Sequence, residues 1–303
     1  MRRKQDIHSN KALAAPLNRM RQELFKMRTK EDAMKTLYVS DLDGTLLRRD
    51  QHTSEFTVRT VNELIEKGMI FSYATARSFI TARKAAGFTA HFPVITYNGS
   101  MTVDNADGRL ITSNPLDTGV YALLDELREA GVYPIVYAFK DGRERFSFIR
   151  DRCSQEAGEF IDTRTDDRIC PCFTEDELYA GEIFYINCIG WEDILPSFYE
   201  RYKDKYRCLL QRDIYSDALM FEVMPKGVSK SSAIKRLKEM LGCDRVVVFG
   251  DGLNDLDMFR SADESYAVGN AHPDLKKYAT AVIGSNESDG VARWLLENAE
   301  ISR

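Results

Sequence analysis

Residues 36–45 read Thr36-Leu37-Tyr38-Val39-Ser40-Asp41-Leu42-Asp43-Gly44-Thr45. The first five form a short apolar, strand-forming run, and the next five switch to carboxylates, a glycine and a hydroxyl. A strand is therefore predicted to end where two acids begin. Residues 57–68 (TVRTVNELIEKG) then read as a helix closed by Gly68, and 69–74 (MIFSYA) as a second strand. Strand, loop, helix and strand in this order predict parallel βαβ units. A helix in 78–87, a strand in 93–97 ending at Asn98-Gly99, and a hairpin through 101–104 and 109–113 follow.

The pattern changes near Pro115 and returns after Pro225. Between them lie a helix over 117–131 and a hairpin turning at Lys140-Asp141-Gly142. Strands in 181–190, 206–211 and 218–224 and a helix near 192–203 complete an α+β pattern. Helices at 229–241, 254–261, 273–278 and 289–299 then alternate with strands in 246–249, 265–269 and 280–284. The economical division is an α/β core at 35–114 and 225–303 with a second domain, 115–224, inserted into it. No internal repeat or low-complexity tract is evident.

In an open parallel sheet, reactive groups gather where strands end at their carboxyl side. By that rule Asp41 and Asp43 meet Thr75-Ala76-Arg77, Asn98-Gly99 and Gly250-Asp251, with Asn254 and Asp255 close behind. Carboxylates crowded into one crevice repel each other and lose hydration, which a hard divalent cation relieves. Mg²⁺ takes oxygen ligands such as Asp41, Asp251 and a backbone carbonyl of this loop, and usually keeps waters or a substrate phosphate. Lys230, at the start of a helix, could neutralise a phosphate oxygen. The assembly favours a phosphate dianion held by metal.

These residues resemble the haloacid dehalogenase superfamily of phosphatases, specifically its Cof-type branch (subfamily IIB), whose core carries a large inserted cap. The resemblance spans roughly residues 35–299. Asp41-Leu42-Asp43-Gly44-Thr45 looks like the nucleophile loop, Thr75 like the hydroxyl of the second motif, Lys230 like the family's lysine, and Gly250–Asp255 like its metal loop. Gly269-Asn270-Ala271 and 285–292 are similar to the branch as well. The resemblance implies a Rossmann-like parallel-sheet core with an α+β cap, and a Mg²⁺-dependent phosphomonoesterase acting on small phosphorylated metabolites such as sugar phosphates. Asp41 would be the nucleophile and Asp43 the acid and base, with the Asp43 carbonyl joining Asp41 and Asp251 around the metal. Thr75, Lys230, Asn254 and the backbone N–H groups of Leu42 and Ala76 would hold the phosphoryl oxygens, and Asp255 would stand behind the metal ligands. Ala76 departs from the glycine usual at its place, so its methyl could tighten the approach of phosphate.

Other readings stand beside these. A phosphomutase uses the same nucleophile without net phosphate release, and a phospho-ligand sensor needs no nucleophile at all. Asn98 is a candidate substrate contact, although an Asn-Gly turn also has a local explanation. Arg77 points either to the pocket or to a surface partner. Tyr185, Asn187 and Glu222 lie on strands whose alternation alone does not say which face is covered. Cys188 and Met224 are assigned to packing.

Composition excludes several classes. The 303 residues carry 42 Lys+Arg against 47 Asp+Glu, a net charge of −5, so broad binding to nucleic acid is not expected. Ten basic and four acidic residues in 1–35 leave −11 on the remainder. Leu17, Met20, Leu24 and Met27 within that segment suggest a short amphipathic helix. The 1–34 extension is expected to be dispensable, since a protein starting at Met34 would already hold the motifs. Six cysteines without a C-x-x-C pair, and no apolar run of spanning length, predict reduced thiols, no membrane span and a cytoplasmic location. Nothing in the pattern specifies an oligomeric state.

Overall fold

The computed structural model describes residues 34–213 and 216–301; the helix expected near 17–29 lies outside them. Its central sheet runs in the order β14 (Ala281–Val282), β13 (Glu264–Ala267), β12 (Arg245–Gly250), β1 (Thr36–Ser40), β2 (Ile70–Tyr73), with every pairing parallel. All five residues of β1 are buried, as expected where helices cover both faces of a parallel sheet. Helix α1 (Glu55–Glu66) is capped by the Ser54 hydroxyl, and helix α2 (Phe79–Ala86) by that of Ser78.

The strand β3 (Pro93–Thr96) lies beside β2, with a parallel bridge from Ala74 to Ile95, and pairs antiparallel with β4 (Met101–Asp104), which carries β5 (Leu110–Ser113) as the expected hairpin. Tyr97, Asn98 and Gly99 all have positive φ, which reverses the chain straight into a hairpin.

A second, six-stranded sheet has the order β10 (Arg207–Arg212), β11 (Leu219–Met224), β9 (Glu182–Ile189), β6 (Ile135–Lys140), β7 (Arg143–Phe148), β8 (Ile169–Pro171). Helices α3 (Val120–Glu129) and α6 (Leu195–Tyr202) cover one face with Leu123, Leu124, Leu127, Leu195 and Phe198. The sequence pattern missed β8 and the helices α4 (Gln155–Asp162) and α5 (Glu175–Leu178), which are short and carry few apolar residues.

The other face of this sheet belongs to the same apolar cluster as the parallel sheet. A register shift between Tyr137 and Ala138 leaves Phe184 as an extra residue on β9. Phe184, Tyr185 and Tyr137 consequently all meet the ring of Tyr97, at centroid distances of 5.2, 5.5 and 5.4 Å. The Tyr97 hydroxyl accepts from Arg168 (2.6 Å) and donates to Glu144. Arg168 is 5% exposed and is further held by Glu144 (2.6 Å) and, through two nitrogens, by Asp166 (2.8 Å each).

Removing one partner from a buried ion cluster leaves the others uncompensated, whereas exposed pairs contribute little. Arg168→Met is therefore expected to cost about 3–5 kcal/mol in urea denaturation, against a much smaller loss for Lys277→Met, whose partner Asp274 is exposed. Equal small losses would contradict this account of the junction.

Candidate active site

Strand register sets the level of the site. Ser40 lies opposite Phe249 on one side and Tyr73 on the other. The Asp41 N–H donates to the Phe249 carbonyl and the Ala74 N–H to that of Ser40, both at 2.9 Å. Asp41, Thr75 and Asp251 therefore leave three adjacent strands at one height.

Lys230 arrives from outside the sheet as the first residue of α7 (Lys230–Leu241). The Ser229 hydroxyl accepts the Ser232 N–H (3.1 Å), and the Ser232 hydroxyl accepts that of Ser229 (2.9 Å), a reciprocal cap that fixes where the helix begins. This start lies against the Asn98–Gly99 turn. Gly99 has φ +104°, and a Cβ there would collide with the Ser229 carbonyl, so the close approach requires glycine.

The Lys230 ammonium, 1% exposed, donates to Asp41 Oδ1 (2.5 Å) and Asp255 Oδ1 (2.7 Å). Asp255 uses its other oxygen to accept the N–H groups of Asp251 and Gly252, both at 3.1 Å. Asp251 Oδ1 accepts the Thr45 hydroxyl at 2.9 Å. Three carboxylates thus share one ammonium. Burial pushes Asp41 well above the usual carboxylate range and Asp255 and Asp251 push it further, while Lys230 opposes both. Burial and the neighbouring Asp255 raise Asp251 to about 6, against the Thr45 bond and Lys230. Burial also works to lower the Lys230 pKa, but Asp255 and Asp41 overcome it and hold the ammonium above its ordinary value.

That charge imbalance is the test of a metal. Oxygens of Asp41, Asp251 and Asp255 lie within 4.8 Å of one another. Both Asp255 oxygens already serve Lys230 and the loop backbone, which leaves Asp41 and Asp251 to face a cation. An all-oxygen set of this kind fits a hard divalent ion such as Mg²⁺.

Around this centre the remaining expected residues take distinct places. Thr75 is fully buried, and its hydroxyl accepts the Arg77 N–H at 3.0 Å. Leu42 has a buried side chain, Ala76 is exposed, and the N–H of neither donates to another described residue. Asn98 is buried, with its N–H on the Thr75 carbonyl (2.9 Å), whereas Asn254 is exposed at the rim. Arg77, whose direction the sequence left open, grips Asp43 through Nε (2.9 and 3.0 Å) and a terminal nitrogen (2.5 Å).

Sequence reasoning gave no role to Asn270, Asn286 or His272. Asn270 Nδ2 donates to the Gly44 carbonyl (2.8 Å), and its Oδ1 accepts the Asn286 N–H (3.0 Å). Asn286 in turn donates to the Leu47 carbonyl (2.9 Å), and the His272 N–H donates to that of Asp251 (2.8 Å). These amides brace the Asp41 and Asp251 loops from behind. Their only signal was their place in the motif-like tail.

Among known proteins, the family described as haloacid dehalogenase-like hydrolase matches residues 38–295. A 5-amino-6-(5-phospho-D-ribitylamino)uracil phosphatase of Bacillus subtilis is 25% identical over 279 residues, covering 86% of this chain and 96% of its own. An HMP-PP phosphatase of Escherichia coli is 26% identical over 278 residues, covering 86% and 95%. A crystal structure from Thermotoga maritima superposes with a TM-score of 0.72 at 25% identity, covering 89% of this chain and 100% of its own.

Gly44 and Gly131 offer a matched test of the carboxylate cage, with φ of +74° and +75°. A Cβ at Gly44 would strike the Asp251 carboxylate, while one at Gly131 meets nothing within 4 Å. Gly131→Ala is expected to cost about 1–2 kcal/mol, the backbone term alone, and Gly44→Ala clearly more. The excess should vanish in an Asp251→Ala background, a double-mutant cycle read by urea denaturation. Equal costs would mean that Asp251 is not held against Gly44.

Proposed function

This chain belongs to the haloacid dehalogenase-like hydrolase family, and we propose that it is a Mg²⁺-dependent phosphomonoesterase working through a phosphorylated Asp41. The observation that carries this reading is the buried Lys230 bridge between Asp41 and Asp255, with Asp251 alongside. It fixes one carboxylate oxygen of Asp41 and leaves the other for phosphorus. Known relatives act as phosphatases on small phosphorylated compounds, which supports the same class of substrate here. We read 35–114 and 225–303 as the core and 115–224 as a cap closing over it. No described helix is long and apolar enough to cross a membrane, in keeping with a cytoplasmic enzyme.

The steps follow from the residues. The free Asp41 oxygen forms a bond to phosphorus as the bond to the leaving oxygen breaks, and the Asp43 carboxyl gives that oxygen its proton. Water then attacks phosphorus, passes a proton to Asp43 and frees Asp41. Asp43 must leave its Arg77 clamp for each transfer, so Arg77 sets its resting position. Lys230, the Thr75 hydroxyl, Asn254 and the N–H groups of Leu42 and Ala76 hold the phosphoryl oxygens, where developing charge is greatest. Asn98 borders the leaving group. A Mg²⁺ held by Asp41, Asp251 and the Asp43 carbonyl would offset the negative charge of the phosphate and the carboxylates.

Inorganic phosphate release from small phosphomonoesters is expected to require Mg²⁺, to stop with EDTA, and to fall roughly 10³-fold or more in Asp41→Asn. A variant that kept most of its metal-dependent release would remove Asp41 as the nucleophile.

A further inference from the structure

On the face of the six-stranded sheet that turns toward the parallel sheet, polar side chains of β9, β10 and β11 meet among apolar ones. There Leu209 on β10 stands opposite Glu222 on β11, Glu222 opposite Asn187 on β9, and Asn187 opposite Ile135 on β6. Tyr185, two residues before Asn187 and so on the same face, donates its hydroxyl to Glu222 Oε1. Gln211 Nε2 lies 3.5 Å from Glu222 Oε2. Met220, Met224, Leu209 and Ile135 frame the group.

Two features set this cluster apart from a packed polar network. Glu222 is 8% exposed and forms no ion pair among the described residues, Arg207 turning its charge instead to Asp257 at 3.9 Å. Asn187 is 3% exposed, and its Oδ1 is buried without a hydrogen bond. A buried acceptor left unpaired costs free energy that a native fold ordinarily avoids.

The cluster is also bracketed by both segments that would hold phosphate. On one flank Tyr185 packs on Tyr97, whose neighbour Asn98 is bonded to the Thr75 carbonyl. On the other, Arg207, on the face of Leu209 and Gln211, donates to the Val228 carbonyl at 2.9 Å, two residues before Lys230. Glu222 and Asn187 lie on the sheet face between these two contacts.

We propose that Glu222 and Asn187 form the subsite for the leaving group and select hydrogen-bond donors there. The substrate is a phosphomonoester whose alcohol carries further hydroxyl or amino groups, and not one carrying a second anion. This rests on the phosphatase reading above. A carboxylate bonded by Tyr185 and Gln211 still has lone pairs to offer, and the Asn187 oxygen has all of its own. A ligand without donors leaves both unpaired, which is how a polar site rejects an apolar analogue. Burial pushes the Glu222 carboxyl above the usual range, against the Tyr185 hydrogen bond and the more distant charge of Arg207.

The test uses three esters of one chain length: erythritol 4-phosphate, butyl phosphate and 4-phosphoerythronate. Wild-type kcat/KM is expected to favour erythritol 4-phosphate over each of the others by at least ~100-fold. Glu222→Gln should narrow the preference against 4-phosphoerythronate at least ~10-fold, and Asn187→Leu that against butyl phosphate similarly. The same order is expected in calorimetric binding to the Asp41→Asn protein with Mg²⁺. Absence of phosphate release from all three esters would count against the hydrolase reading. Wild-type ratios within about threefold in release or in binding, or ratios unmoved by Glu222→Gln, would overturn the subsite.

Discussion

A single buried ammonium stands among three carboxylates, and much of the core is arranged to tolerate it. Lys230 touches Asp41 and Asp255 while Asp251 sits next to them. Burying such groups is costly unless each is paired and hydrogen-bonded. Each therefore has its own support: the Ser229 cap places Lys230, two backbone N–H groups hold Asp255, and Thr45 holds Asp251. Three chain segments, 41–45, 229–230 and 251–255, must converge to supply them. The parallel sheet brings Asp41 and Asp251 to one level through register, and the capped helix start against Gly99 brings Lys230 to them.

The residual imbalance is functional in character. A fold seeking only stability would match charges, whereas this one keeps an excess of negative charge that, after burial itself, helps raise Asp251 to about 6. Such congestion favours a cation and, through it, a phosphate. The second sheet meets this centre through Tyr97, a core residue in left-handed backbone whose ring and hydroxyl are both taken up by residues 137–185. Because the same turn carries Asn98, bonded to Thr75, the junction and the loop after β2 share one piece of backbone.

The core was legible because its signals are local and strong. An apolar run ending in Asp41-Leu42-Asp43-Gly44-Thr45 and another ending in Gly250-Asp251 mark strand ends, and the order of strands follows from their parallel connections. What escaped depended on side chains meeting across long sequence distances. The Arg77 clamp on Asp43 needs the geometry of two loops, and Arg168 needs Tyr97, 71 positions away. The bulge at Phe184 reverses the alternation on which face assignment depends, so Tyr185 could not be placed from pattern. Helix α4 and strand β8 are too short to show a period.

The most direct test of the account is to mix the protein with Mg²⁺ and a turned-over phosphomonoester, quench within the turnover time in acid, and map the peptides by mass spectrometry. The account requires one phosphoryl group on the peptide containing Asp41, located to that side chain and lost on a chase with unlabelled substrate. Rapid turnover with no phosphoryl group on Asp41, or with one on another residue, would contradict it.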